Sequence, residues 1–195
     1  TGLFSSLFRR RWLRWLTAIF VTCAVCGVLA LLGVLSYFSQ NLPSVNSLAD
    51  YAPPVVSQVR DADGTVVGEF YEQQRYVVPM EQIPDTVRNA FVSAEDAAFW
   101  EHAGLDYMGI ARAMFRNVQE MAMAQGASTI TQQVARNFLL TSEKKLARKI
   151  REAILARRVE GAFEKEHILY LYLNEIYLGS GAYGVEAAAR VYFDK

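Results

Sequence analysis

Hydrophobic and polar positions divide the chain into four regimes. From Leu16 to Phe38 no residue is charged, and Leu, Val, Ala, Ile and Phe dominate. A run of that length, rising about 1.5 Å per residue, can cross a ~30 Å hydrocarbon core. It predicts an uncleaved transmembrane helix over 16–38 behind a tail over 1–15. The apolar run is too long for a signal peptide and has no A-x-A exit. Ser39 to Pro54 is polar and aperiodic, with prolines at 43, 53 and 54, and reads as a linker over 39–54. Val55–Arg60 and Thr65–Tyr71 then alternate around Asp61-Ala62-Asp63-Gly64, the pattern of a β-hairpin, with Tyr76-Val77-Val78 as a third short strand.

After Pro84 the period becomes helical. Ile83, Val87, Ala90, Phe91 and Ala94 mark a first helix. A second is expected from Asp106, as N-cap, to Ala124, and a third from Ser128, as N-cap, to about Leu140. A fourth begins at Thr141 or Ser142 and reaches Phe163. A fifth runs from Lys165 to Tyr177, ended by Gly179 and Gly181, and a sixth from Val185 to Phe193. The expectation is a mainly α domain over 55–195, with a small β-hairpin preface and a single membrane helix before it.

Charge sharpens this picture. Net charge is zero, but Arg9, Arg10, Arg11 and Arg14 all precede the apolar run and no acid occurs before Asp50. The positive-inside rule puts the N-terminus in the cytoplasm and everything after about residue 40 outside, with Trp12, Trp15, Tyr37 and Phe38 as interfacial belts. The part beyond the span is net acidic, which does not suggest a nucleic-acid partner. Both cysteines, Cys23 and Cys26, lie inside the span. There they read as small packing residues, so the exported part depends on its core and not on disulfides.

Candidate chemistry concentrates in a few stretches. Glu95 and Asp96 end the first helix beside Phe99, Trp100, His102 and Gly104. If Phe91, Ala94 and Phe99 hem in Glu95, its carboxylate loses hydration and gains proton affinity, as a general base requires. A solvated helix residue is the plain alternative. Between residues 144 and 158 stand seven cations, and Lys145, Arg148, Lys149 and Glu152 share one helical face. That strip suits a phosphate or pyrophosphate, though a solvated charged helix has the same pattern. Leu146, Ile150 and Ala153 would pack on another face. Gly126-Ala127-Ser128-Thr129-Ile130-Thr131-Gln132-Gln133 supplies hydroxyls and amides that could orient sugar groups or simply cap a helix. The methionines of the second helix (108, 114, 121 and 123) read first as core packing and second as a surface for a bilayer. His102 reads as a structural residue. Ser142-Glu143-Lys144-Lys145 matches S-x-x-K but has no companion motif and is set aside. No His, Asp or Glu grouping has metal-ligand spacing.

Four ordered segments resemble the peptidoglycan glycosyltransferase domain of class A penicillin-binding proteins. They are Glu95-Asp96-x-x-Phe99-x-x-His102-x-Gly104, the stretch Gly126 to Gln133, Arg148-Lys149-x-x-Glu152-x-x-x-Ala156, and Tyr172-Leu173-Asn174-x-x-Tyr177-x-Gly179-x-Gly181-x-x-Gly184. The resemblance covers about Val55 to Lys195, and the N-terminal anchor fits the family too. It implies a lysozyme-like helical fold seated in the membrane and a lipid II substrate, polymerised with inversion into β-1,4-linked glycan. It implies Glu95 as the base and Glu152 as a second catalytic carboxylate near the phosphate. Substrate contacts would come from Asp96, Ser128, Thr129, Gln132, Gln133, Lys145, Arg148, Lys149 and Asn174. Phe99, His102, Gly104, Gly126, Tyr177, Gly179 and Gly181 would support the cleft.

The resemblance stops at Lys195 without a transpeptidase domain, so a fragment of a bifunctional enzyme is expected, ahead of a monofunctional one. The expected setting is the bacterial cytoplasmic membrane, with the bilayer, lipid II, the growing glycan and other cell-wall synthesis proteins as partners and no nucleic acid. No cofactor is required, while a divalent cation (Mg or Mn) at the pyrophosphate stays open. A lysozyme-like glycan hydrolase is the main rival, and a catalytically silent anchor the second.

Overall fold

The computed structural model describes residues 2–50, 52–119, 128–140 and 145–194, which fall into two compact units, 1–42 and 43–195. The first is a single helix, α1 (Gly2–Ser39). Its stretch Arg14–Ser39 is long and apolar enough to cross a membrane. The helix continues through the expected tail, whose Leu and Arg residues are good helix formers.

The second unit contains β1 (Ser57–Arg60), β2 (Val66–Phe70), β3 (Gln74–Arg75), α2 (Asp85–Glu95), α3 (Tyr107–Gln119), α4 (Ile130–Leu139), α5 (Lys145–Ala162), α6 (Lys165–Glu175), β4 (Ala182–Tyr183) and α7 (Val185–Phe193). It is mainly α, as expected. The antiparallel hairpin β1–β2 forms where the D-G turn predicted it. Asp61 Oδ1 accepts from the backbone N–H groups of Asp63 and Thr65, and Gly64 supplies the positive φ.

The expected third strand falls elsewhere. Tyr76-Val77-Val78 is not a strand; Gln74–Arg75 instead pairs in parallel with Ala182–Tyr183. The backbone of Val78 is occupied by a side chain, with Asn174 Oδ1 accepting from its N–H at 2.9 Å and Nδ2 donating to its carbonyl at 3.1 Å. Arg75, 1 % exposed, ties the β preface to the later helices: it pairs with Glu175 at 3.1 Å and lies over the Tyr183 ring. Part of the expected linker also belongs to the domain. A 3-10 turn, Val45–Leu48, packs on α5 and buries Leu48.

The core lies where α4 packs on α5 and α6, with Ile130, Val134, Leu155, Val159, Ile168, Leu169, Leu171 and Leu173 essentially inaccessible. Two boundaries and one buried face differ from expectation. Thr129, not Ser128, caps α4, through a reciprocal capping box with Gln132. The buried face of α5 is Glu152, Leu155, Ala156 and Val159, the i, i+3, i+4, i+7 set, which leaves Leu146 exposed. α6 stops at Glu175, so Tyr177 leaves the helix and bridges to Tyr183.

The second helix also departs from its first reading. Asp106 caps it as expected, accepting from Gly109 N–H at 2.8 Å. However, Tyr107, Met108, Met114 and Phe115 are all about two-thirds exposed or more, and of the residues on α3 Ala113 is buried. This face is open, not core. The expected end at Ala124, with Met121 and Met123, and the expected starts at Thr141 or Ser142 lie outside the described residues.

Candidate active site

At the end of α2 the chain places two adjacent carboxylates in opposite environments. Asp96 is the C-cap, with φ −157°, and its side chain turns inward to 6 % exposure. It accepts from His102 Nε2 at 2.9 Å and from the backbone N–H of Ile130 at 3.0 Å. Gly104 N–H donates to His102 Nδ1, so the imidazole proton sits on Nε2, facing Asp96. Ile130 is the first residue of α4, and its N–H is one of the donors a helix leaves unpaired at its start. The negative charge therefore sits where the helix dipole favours it.

The same latch takes up most of the third-helix motif. Thr129 Oγ1 donates to the Gly104 carbonyl at 2.7 Å and accepts from Gln132 N–H at 3.1 Å, while Gln132 Oε1 accepts from Thr129 N–H. Gly104 has φ +91°, and a Cβ there would lie 2.8 Å from the Ala156 carbonyl oxygen. Only glycine lets this loop lie against α5. Phe99, fully buried, fills the centre of the loop beneath the Lys165 ammonium.

With Asp96 turned inward, Glu95 is left outside. It is exposed, and its Oε2 accepts from Gln133 Nε2 at 3.0 Å. The apolar enclosure expected around Glu95 is not there: Ala94 is exposed, and Phe91 and Phe99 turn toward Tyr172 and the core. Val92 is the buried residue of α2, and Glu95 is its last residue, one turn past the half-buried Phe91.

The cationic strip is built around a carboxylate. Glu152 is 2 % exposed; its Oε2 lies 3.0 Å from Lys149 Nζ, and its Oε1 lies 3.4 Å from Arg148 Nε. Lys149 Nζ also donates to Ser128 Oγ at 2.6 Å. Glu95 and the strip therefore meet across the start of α4, one through Gln133 and the other through Ser128. A cavity of about 280 Å³ opens beside them, lined by Ser93, Ala94, Asp96, Arg112, Arg116 and Ser128 among others.

The structure thus brings together Glu95, Gln133, Ser128, Arg148, Lys149 and Glu152. It gives Asp96, Thr129, Gln132 and Asn174, expected as substrate contacts, internal partners and near-complete burial. Lys145 begins α5, but its side chain lies outside the described residues, as does Gly126. Gly179 and Gly181 form the positive-φ turn before β4, and the Tyr177 and Tyr183 rings meet at a tilt with 5.0 Å between centroids.

Two groups were not anticipated. Arg136 lies one turn beyond Gln133, and its only sequence signal is a lone cation on an otherwise uncharged helix. The Tyr172 hydroxyl carried no separate signal within its motif. Burial pushes its phenol up, the Glu95 carboxylate adds to this, and Arg136 opposes it. Among the described residues no three His, Cys, Asp or Glu side chains group as metal ligands. The carboxylates of the site already face Lys149, Arg148, His102 or amide donors.

Over 156 residues the chain is 51 % identical to penicillin-binding protein 1A of Aquifex aeolicus, covering 80 % of this chain and 22 % of that one. It is 47 % identical over 154 residues to the protein of the same name in Neisseria lactamica (79 % and 19 %). For that of Rickettsia felis the identity is 46 % over 162 residues (82 % and 20 %). The chain thus spans about a fifth of the length of these curated relatives. The transglycosylase family model matches residues 63–195, the stretch that holds the inward Asp96, the outward Glu95 and the cations on Glu152, and the chain belongs to that family.

Proposed function

We propose that this chain is a membrane-anchored peptidoglycan glycosyltransferase that polymerises lipid II into β-1,4-linked glycan with release of undecaprenyl pyrophosphate. One observation carries the reading: the start of α4 holds an exposed carboxylate through Gln133 and, through Ser128, a cation fixed on a buried carboxylate. Glu95 takes the proton of the acceptor 4-hydroxyl. The freed oxygen attacks the anomeric carbon of the donor from the face opposite the pyrophosphate, and the bond to the phosphate oxygen breaks with its electron pair. Displacement of an α-linked leaving group in this way gives a β bond. Arg148 and Lys149 meet the charge that develops on the pyrophosphate, where fixed cations act most strongly. Glu152 sets the position of those cations. Ser128 stands at the substrate surface, the buried Gln133 holds Glu95 from behind, and Asp96, Thr129, Gln132 and Asn174 hold the frame.

The open face of α3, with Tyr107, Met108, Met114 and Phe115, and the nearby half-exposed Trp100, suits contact with the lipid phase from which such a substrate comes. The arginines before the apolar run favour a cytoplasmic N-terminus and a catalytic unit on the outer side of the bacterial cytoplasmic membrane. Incubation with lipid II tests the function. Long glycans support the proposal. Shortened preformed glycan with no polymer would establish a hydrolase instead. Glu95→Gln is expected to abolish polymerisation while lipid II binding stays within a few-fold, and unchanged turnover would remove Glu95 from the mechanism.

A further inference from the structure

The Tyr172 hydroxyl is a polar group without a protein partner in a position where hydrocarbon would pack equally well. Its residue is 1 % exposed on α6, flanked by Leu171 and Leu173, both fully buried. The hydroxyl makes no hydrogen bond among the described residues. Buried hydroxyls are nearly always paired, and a Phe would fill this space without the penalty.

The surroundings place the group. The Tyr172 ring meets Phe91 edge-on, with 6.2 Å between centroids. Phe91 lies one turn before Glu95 on the same side of α2. α6 packs on α4, the helix that delivers Gln133 to Glu95. The charged groups that act on the phenol are Glu95 of α2 and Arg136 of α4. Both charges reach the hydroxyl, and through Phe91 its ring packs against the last turn of α2, which ends at Glu95.

We propose that Tyr172 is a positioning residue for Glu95, its O–H donating to the carboxylate when Glu95 turns from Gln133 toward the acceptor hydroxyl. The inference rests on the assignment of Glu95 as base. A donor of this kind fixes the rotamer of the carboxylate and stabilises its charged form, without touching substrate. Burial together with the Glu95 charge keeps the phenol protonated, so it acts as a donor throughout the working range. Arg136, on the opposing helix, works against the effect of the Glu95 charge on the phenol.

The experiment is a pH–rate profile of lipid II polymerisation by the full chain in detergent, for wild type, Tyr172→Phe and Glu95→Gln, with thermal melts of each. Tyr172→Phe keeps the ring and removes one oxygen. It is expected to melt at or above the wild-type temperature and to lower kcat about tenfold, with KM within about twofold, the effect of losing a hydrogen bond to a charged group. The sign follows from the charge: without the donor the carboxylate holds its proton more tightly, so the acid limb moves to higher pH. A singly fluorinated tyrosine at position 172, a stronger donor with nearly the same packing, should move the limb to lower pH. If the fluorinated side chain leaves the limb in place, the proposal fails whether or not the Phe variant folds. If Tyr172→Phe turns over like wild type while Glu95→Gln is dead, the tyrosine role is wrong and the base assignment stands. If Glu95→Gln is active, both fall.

Discussion

Lys149 holds Glu152 through one oxygen at 3.0 Å, and that carboxylate is 2 % exposed while the ammonium stands half in solvent. The arrangement inverts the first impression of a charged strip: the acid is the buried member and the cations are organised around it. Lys149→Ala leaves Glu152 with Arg148 alone at 3.4 Å. We expect both a lower melting temperature, by several degrees, and weaker, less salt-dependent binding of a pyrophosphate ligand. A cycle of Lys149→Ala with Glu152→Gln should show coupling of about 1 kcal/mol or more. Additive effects would show that the two residues act separately.

Asp96 should behave as a structural group. Asp96→Asn keeps the shape but loses the charge that accepts from His102 and from the first N–H of α4. The expected loss is about 2 kcal/mol of stability, with activity per folded molecule falling far less than in Glu95→Gln. Denaturant unfolding beside a polymerisation assay measures both. A fully stable, inactive Asp96→Asn would move Asp96 into the chemistry.

Gly184→Ala tests the seam near the end of the domain. Its φ is +82°, and a Cβ would come within 2.8 Å of the Asn174 carbonyl oxygen. Strain and displacement together should cost more than about 1 kcal/mol, visible as a lower denaturation midpoint with an unchanged m-value. Asn174→Leu should act on the same seam by releasing both backbone groups of Val78.

Acid should weaken the hairpin side of the domain through Glu69. The Tyr76 hydroxyl first, then the Gln58 amide, donate to this carboxylate and hold it below the usual carboxylate range. A folded-state value lowered in this way gives stability that is present above the ordinary carboxylate range and lost as pH falls through the folded value. Tyr76→Phe should therefore melt below wild type at neutral pH, with the gap closing in acid. A gap that persists at low pH would assign the effect to packing against Arg190, whose guanidinium lies over the Tyr76 ring.

The helices were legible because their signals are local. Val185–Phe193 matches residue for residue, and the D-G hairpin forms where its turn required it. What escaped depends on contacts between distant residues. The sequence places Glu95 and Asp96 side by side and does not say which turns inward; that depends on an N–H at residue 130. The parallel partner of Gln74–Arg75 lies more than a hundred residues away, so no turn residue marks it. The apolar face of α3 has core-like periodicity, and only the exposure of Tyr107, Met108, Met114 and Phe115 shows that it is open.

The ladder between Gln74–Arg75 and Ala182–Tyr183, clasped by Asn174 on Val78, has a consequence for how the chain matures. Synthesis proceeds from the N-terminus, so the first half of this closure is made long before its mate exists. The nascent preface must wait, with Arg75 unpaired and its strand unzipped, until the final helices emerge. Domains closed by such distant pairings gather late and slowly. In that interval the hairpin side is the region with most need of a chaperone.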